Sequence, residues 1–154
     1  MKKEKLPIVK EKSAGAIVFF KEKEPELLRK EPEFLLLHYT AGHWDYCKGH
    51  IEGKETEIET LKRELLEETG IKEFSLISGF REEMNYSFNR KTEQVNKTAV
   101  FYLIEVKSKE VKLSFEHKGF KWLEFEKASK QLTFDNAKNL LKKANEFLKM
   151  KKLA

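Results

Sequence analysis

The stretch Gly49–Ile71, GHIEGKETEIETLKRELLEETGI, constrains this chain more than any other. Thr56 followed three residues later by Glu59 has the form of a capping box, so the spacing predicts a helix that begins near Glu55 or Thr56. Gly70 is its natural left-handed stop. Around such a helix Glu64, Glu67 and Glu68 share one arc, and Ile58, Leu61 and Leu65 form an adjoining arc that can face a core. Like charges at these spacings cost roughly 0.2–0.5 kcal/mol per pair on a solvated helix. A helix shaped by stability alone would place lysines among them. The cluster therefore calls for a cation, and oxygen-only ligands on a rigid element suit Mg²⁺, or Mn²⁺, which keeps waters and bridges to phosphate.

The flanks supply the rest of a mixed fold. Ala14–Phe20 and Phe34–Tyr39 read as buried strands, with Gly15 allowing another backbone to approach closely. Between them, residues 21–33 are charged and carry Pro25 and Pro32, which makes an exposed connection. Thr40 to His50 is a loop dense in functional side chains. Phe74–Phe80 predicts a strand continuing through Tyr86, then a polar turn over Asn89–Asn96, then strands Thr98–Val106 and Phe120–Phe125. Phe134, Ala137, Leu140, Leu141, Ala144 and Leu148 recur at helical spacing, which predicts a long C-terminal helix over Phe134–Lys149. This order gives an α+β fold with a mixed sheet between helices. Residues 1–12 are polar and are expected to form a flexible lead, with one domain over 13–154.

Composition bounds the partners. The net charge of +5 favours anionic ligands, yet much of the excess lies in lysine-rich tails, where charge is commonly solubilising. One cysteine excludes an intramolecular disulfide and fits a reducing compartment. There is no hydrophobic leader and no long apolar run, so the expected location is cytoplasmic, without membrane contact.

The organising stretch resembles the signature of the Nudix hydrolases, G-x5-E-x7-R-E-U-x-E-E-x-G-U with U aliphatic. Gly49, Glu55, Arg63, Glu64, Leu65, Glu67, Glu68, Gly70 and Ile71 meet every specified position. The resemblance implies an α/β/α sandwich and cleavage of a nucleoside diphosphate linked to another group. FLLLHYTAGHWDYCKGHIE around the start of the signature, GFREEMNY, KTAVFYL and EHKGFKWLE resemble the asymmetric diadenosine tetraphosphate hydrolases of the animal and archaeal type. That likeness runs from about Ser13 to Phe147. Cys47 stands where that family usually has Pro, and Gly53-Lys54 replace a usual Pro-Gly, both outside the fixed positions.

Roles follow from the resemblance residue by residue. Glu64, Glu67 and Glu68 are expected to hold metal together with the carbonyl of Gly49. Glu64, or a carboxylate from elsewhere, would take the proton of the attacking water. Glu116 is the outside candidate, as metal ligand or base, against its reading as an ordinary exposed glutamate. Arg63 would pair with Glu67 or orient a ligating glutamate, and Glu55 would support the loop. His43, Lys48 and Lys97 are candidates for holding phosphates. Tyr86 and Phe134 match positions that stack adenine, though Phe134 also fits a core position of the last helix. His38, His50 and His117 read as structural or surface residues, Trp122 as core, and Cys47 carries no assignment. The expected substrate is a small dinucleoside polyphosphate split to ATP and AMP. The alternatives are an RNA 5′ end, ADP-ribose or a dNTP as substrate, or a binding module without catalysis.

Overall fold

The computed structural model describes residues 5–23 and 30–151. Its centre is β1 (Ile8–Phe20), buried from Ser13 to Phe19 and paired in parallel with β6 (Gln94–Val106) along its whole length. The remaining pairings are antiparallel, so the sheet is mixed. β5 (Ser75–Asn89) flanks β6 at one edge. On the other side of β1 stand β2 (Glu33–Tyr39) and the short strand β4 (Cys47–His50), while β3 (Trp44–Asp45) and β7 (His117–Glu124) both pair with β2. The expected loop over 40–50 thus contains two short strands. Backbone pairing holds them, and so few residues show no alternation that a sequence could reveal.

The lead expected through residue 12 is corrected: the chain is strand from Ile8 onward. Side chains alternate between exposed and half-buried over Ile8–Lys12, so pairing to β6 rather than burial orders this segment. For the same reason β6 begins at Gln94, and the turn before it shrinks to residues 90–93. Within the expected connection over 21–33, residues 24–29, Pro25 included, lie outside the described residues.

Helices cover both faces. α1 (Glu57–Thr69) places Leu61 and Leu65 against Ala16, Val18, Ile104 and Val106, and each fully buried leucine contributes roughly 1.5–3 kcal/mol. α3 (Asp135–Met150) places Leu140, Leu141, Ala144 and Leu148 against Ile17, Phe19, Phe101 and Leu103 on the opposite face. Even-numbered residues of β1 and β6 therefore meet α1 and odd-numbered ones meet α3, as the two-residue period of a strand requires. A further helix, α2 (Phe125–Gln131), buries only Ala128 and is too short to show a helical period.

Two devices fix α1 relative to the sheet. At its N-terminus the Thr56–Glu59 capping box is complete, and Glu57 accepts a two-pronged contact from Arg81 at 2.9 Å with further bonds from Lys12 and Tyr102. Arg81 first, with Lys12 and Tyr102 after burial's opposing effect, holds the Glu57 carboxyl well below the usual range. At the C-terminus Gly70 takes a left-handed conformation with φ 74° and donates to the carbonyl of Leu66. Gly15 is equally forced: a Cβ there would lie 2.5 Å from the carbonyl oxygen of Cys47 on the neighbouring strand.

Candidate active site

α1, β4, β6 and the segment before β7 enclose a cleft of about 550 Å³. It is lined by Lys48, Gly49, Arg63, Glu64, Glu67, Glu68, Lys97 and Glu116 among the expected site residues, so the fold brings these eight together. Ser13, Tyr39, His50 and Phe115 also line it.

Glu68 is the most buried of the cleft's acids, at 4% exposure, with Oε2 buried and without a hydrogen-bond partner among the described residues. Burial pushes its carboxyl up to about 8; the Cys47 thiol draws it back down, while Glu64 and then Glu116 raise it further. Burial also raises Glu64, against the opposing pull of Arg63. Glu64 packs directly over Gly49, where a Cβ would fall 2.0 Å from its Cδ. Only glycine leaves that space, which explains the residue at the head of the signature.

Arg63 organises the loop. Its Nε and Nη2 fork onto Glu55 at 2.8 and 2.9 Å, Nη2 also donates to the carbonyl of His50, and Nη1 donates to Glu64 at 2.8 Å. Glu67, 58% exposed in its side chain, is a weaker contact at 3.4 Å. Of the two roles expected for Arg63, orienting Glu64 is the stronger and pairing with Glu67 the lesser. Glu55 accepts from the backbone of Glu52 and from Thr60, so it ties loop to helix as expected. The Arg63 guanidinium, then the backbone bond from Glu52, hold the Glu55 carboxyl down to about 2.

The other wall is cationic. Lys48 reaches the buried Asp45 at 3.1 Å, and Lys97 is lowered by burial first and next by the charge of Lys48. Paired register puts Tyr86 across from Lys97, beside the cleft. Its ring neighbour is Phe88, with centroids 6.3 Å apart. Phe134, 47% exposed as the residue capping α3, contacts His43 at 5.6 Å, and His43 stacks on Tyr39 at 4.5 Å. The two aromatic residues expected to stack a base thus have separate ring partners, and Phe134 is surface rather than core.

Two positions that carried no site assignment in the sequence, Ser13 and His117, place buried polar atoms at the cleft or beside Glu68. Ser13 Oγ and His117 Nε2 are buried and, among the described residues, without a hydrogen-bond partner, like Glu68 Oε2. His117 is wholly buried in its side chain, with Nε2 3.8 Å from Glu68 Oε2 and Nδ1 3.2 Å from Ser114 Oγ. Of the structural and surface readings that the sequence allows it, the buried one holds, and its place beside Glu116 in EHKGF is the signal that ties it to the cleft. His50 is exposed at the rim, and His38 is half-buried in a stack with Trp44. Trp122 is partly buried against the α1 side of the core, in an edge contact with Phe20.

The donor set fits a hard divalent cation: carboxylate oxygens, one of them buried and orphaned, with Glu64 packed against a glycine that leaves room for it. Among the described residues no three acidic, imidazole or thiol groups already converge on one point. Glu64 and Glu67 instead turn toward Arg63, the nearest positive charge.

Comparison with known proteins decides the family, because the NUDIX domain matches residues 10–144. The chain belongs to the Nudix family. The bis(5′-nucleosyl)-tetraphosphatase [asymmetrical] of Mus musculus is 37% identical over 143 residues, covering 89% of this chain and 95% of that protein. The protein of the same name from Caenorhabditis elegans is 31% identical over 142 residues, covering 89% and 96%. Among solved structures, a C. elegans Ap4A hydrolase binary complex superposes with a TM-score of 0.77 at 29% identity, covering 90% of this chain and 97% of that one. A MutT protein from Methanosarcina mazei Go1 gives 0.64 at 27% identity, covering 92% and 95%. The Nudix fold accounts for the sheet between α1 and α3, and the signature accounts for the crowding of acids on α1. No described helix is long and apolar enough to cross a membrane.

Proposed function

We propose that this Nudix protein hydrolyses dinucleoside tetraphosphates asymmetrically, splitting diadenosine tetraphosphate with one water into ATP and AMP. The observation that carries this reading is the pairing of two unmet charges across one cleft. Buried Glu68 Oε2 has no hydrogen-bond partner on one wall, and Lys97 has no ion pair on the other, among the described residues. A divalent cation, Mg²⁺ or Mn²⁺, held by Glu64, Glu67, Glu68, the Gly49 carbonyl and Glu116, supplies charge screening and Lewis acidity toward phosphorus. Arg63 fixes Glu64 in place, and Glu64 or Glu116 accepts the water proton as the bond to the bridging oxygen breaks. His43, Lys48 and Lys97 hold the phosphate chain, and Tyr86 or Phe134 stacks one adenine. Two relatives of the expected name, spanning nearly the whole chain, support the choice of substrate.

The test is product analysis with diadenosine tetraphosphate, 5′-triphosphorylated RNA, ADP-ribose and dGTP in parallel, with Mg²⁺ and with EDTA. The expected result is metal-dependent release of ATP and AMP, with the other three slow. A preference for any of those three refutes the substrate assignment, and hydrolysis of none refutes the enzyme.

A further inference from the structure

Phe115 is 91% exposed, the most exposed large apolar residue described, and it also lines the catalytic cleft. Its backbone is not free to swing. Ser114 N donates to the carbonyl of Glu68, Glu116 N donates to Ser114 Oγ, and the Glu116 carbonyl accepts from Thr40. The turn is thus fastened to the end of α1 on one side and to the end of β2 on the other. A tethered backbone thus presents an aromatic ring to water beside the acids of the cleft, and among the described residues no ring stacks on it.

Its position in the sheet separates it from the other aromatic groups. Phe115 lies two residues before β7, which pairs with β2, whereas Tyr86 lies on β5 at the opposite edge. Between those edges lie β2, β1 and β6, so four steps of about 4.8 Å put β7 and β5 on the order of 20 Å apart. Lys97 and the acids of α1 line the cleft between them. A mononucleotide needs one stacking platform, but a dinucleoside polyphosphate presents a base at each end of its phosphate chain.

We infer that Phe115 stacks the second base of a dinucleoside polyphosphate, and so makes the cleft select dinucleosides over mononucleotides. This rests on the function proposed above. Stacking is tolerant of base identity because every base has a π-face, so the second base need not be adenine.

The experiment compares wild type, Phe115→Ala and Phe115→Tyr on diadenosine tetraphosphate and on adenosine 5′-tetraphosphate. The exposed side chain contributes nothing to the core, so folding is expected to be unchanged. The expected result is that Phe115→Ala raises KM for the dinucleotide about 10-fold with kcat little changed, while the mononucleotide kinetics do not move. Phe115→Tyr is expected to restore the dinucleotide KM. Equal effects on both substrates, or none on either, overturn the assignment of Phe115 and leave the enzyme standing. Wild type that cleaves no dinucleoside polyphosphate overturns the function itself, and this inference with it.

Discussion

Replacing Glu68 by Gln gives an experiment in which stability and activity are expected to move in opposite directions. The native carboxyl is raised from the ordinary 4.5 to about 8, chiefly because it is buried. A carboxyl whose folded value is raised stabilises the fold most below its unfolded value, and that contribution is lost as pH rises through the folded value. Metal-free wild type should therefore lose stability between about pH 5 and pH 8, where the neutral amide loses none. Three pH units at 1.36 kcal/mol each give about 4 kcal/mol if Glu68 titrated alone. Sharing the titration with Glu64 spreads it over a wider range and reduces the expected difference to about 2 kcal/mol. Urea unfolding in EDTA at both pH values measures this directly. Glu68→Gln should match wild type at pH 5 and exceed it by about 2 kcal/mol at pH 8. Saturating Mg²⁺ should reverse the order, since a ligand at about 100 times its Kd stabilises its binder by roughly 2.7 kcal/mol. Equal pH dependence in the two proteins would refute the buried, unpaired state of Glu68, and a variant equally stabilised by Mg²⁺ would refute its place in the metal site.

With metal present, Glu68→Gln is expected to lower kcat for diadenosine tetraphosphate by roughly 10²–10⁴-fold with the circular dichroism spectrum unchanged; near-normal turnover at saturating Mg²⁺ would contradict the assignment. Arg63→Lys keeps the charge but cannot form the fork onto Glu55 while also reaching Glu64, so metal affinity measured by Mn²⁺ titration should fall about 10–100-fold. Tyr86→Ala should raise KM more than it lowers kcat, by the roughly 1–3 kcal/mol of one stacked base, and a kcat loss at unchanged KM would argue against stacking. Gly15→Ala should destabilise the fold by about 1–3 kcal/mol, because its Cβ meets the backbone carbonyl of Cys47, and denaturant midpoints would register it.

α1 and the family signature it carries are legible in residue spacing alone. Capping box, acidic arc and closing glycine are local, since each depends on residues within a turn or two of one another, and the helix is bounded where they place it. The central strands were legible as continuous apolar runs, and α3 because its apolar residues recur at helical spacing. What escaped notice depends on contacts between distant segments. Ile8–Lys12 is strand only because β6 lies alongside, and β3 and β4 exist only because β2 and β1 supply their edges. His117 is ordinary in sequence until β7 pairs with β2 and its imidazole is buried 3.8 Å from Glu68. Phe115 likewise gains meaning only when the segment before β7 docks on the end of α1. Local chemistry is written in spacing along the chain, whereas burial, orphaned polar atoms and the placing of Tyr86 and Phe115 at opposite edges arise only after the strands pair.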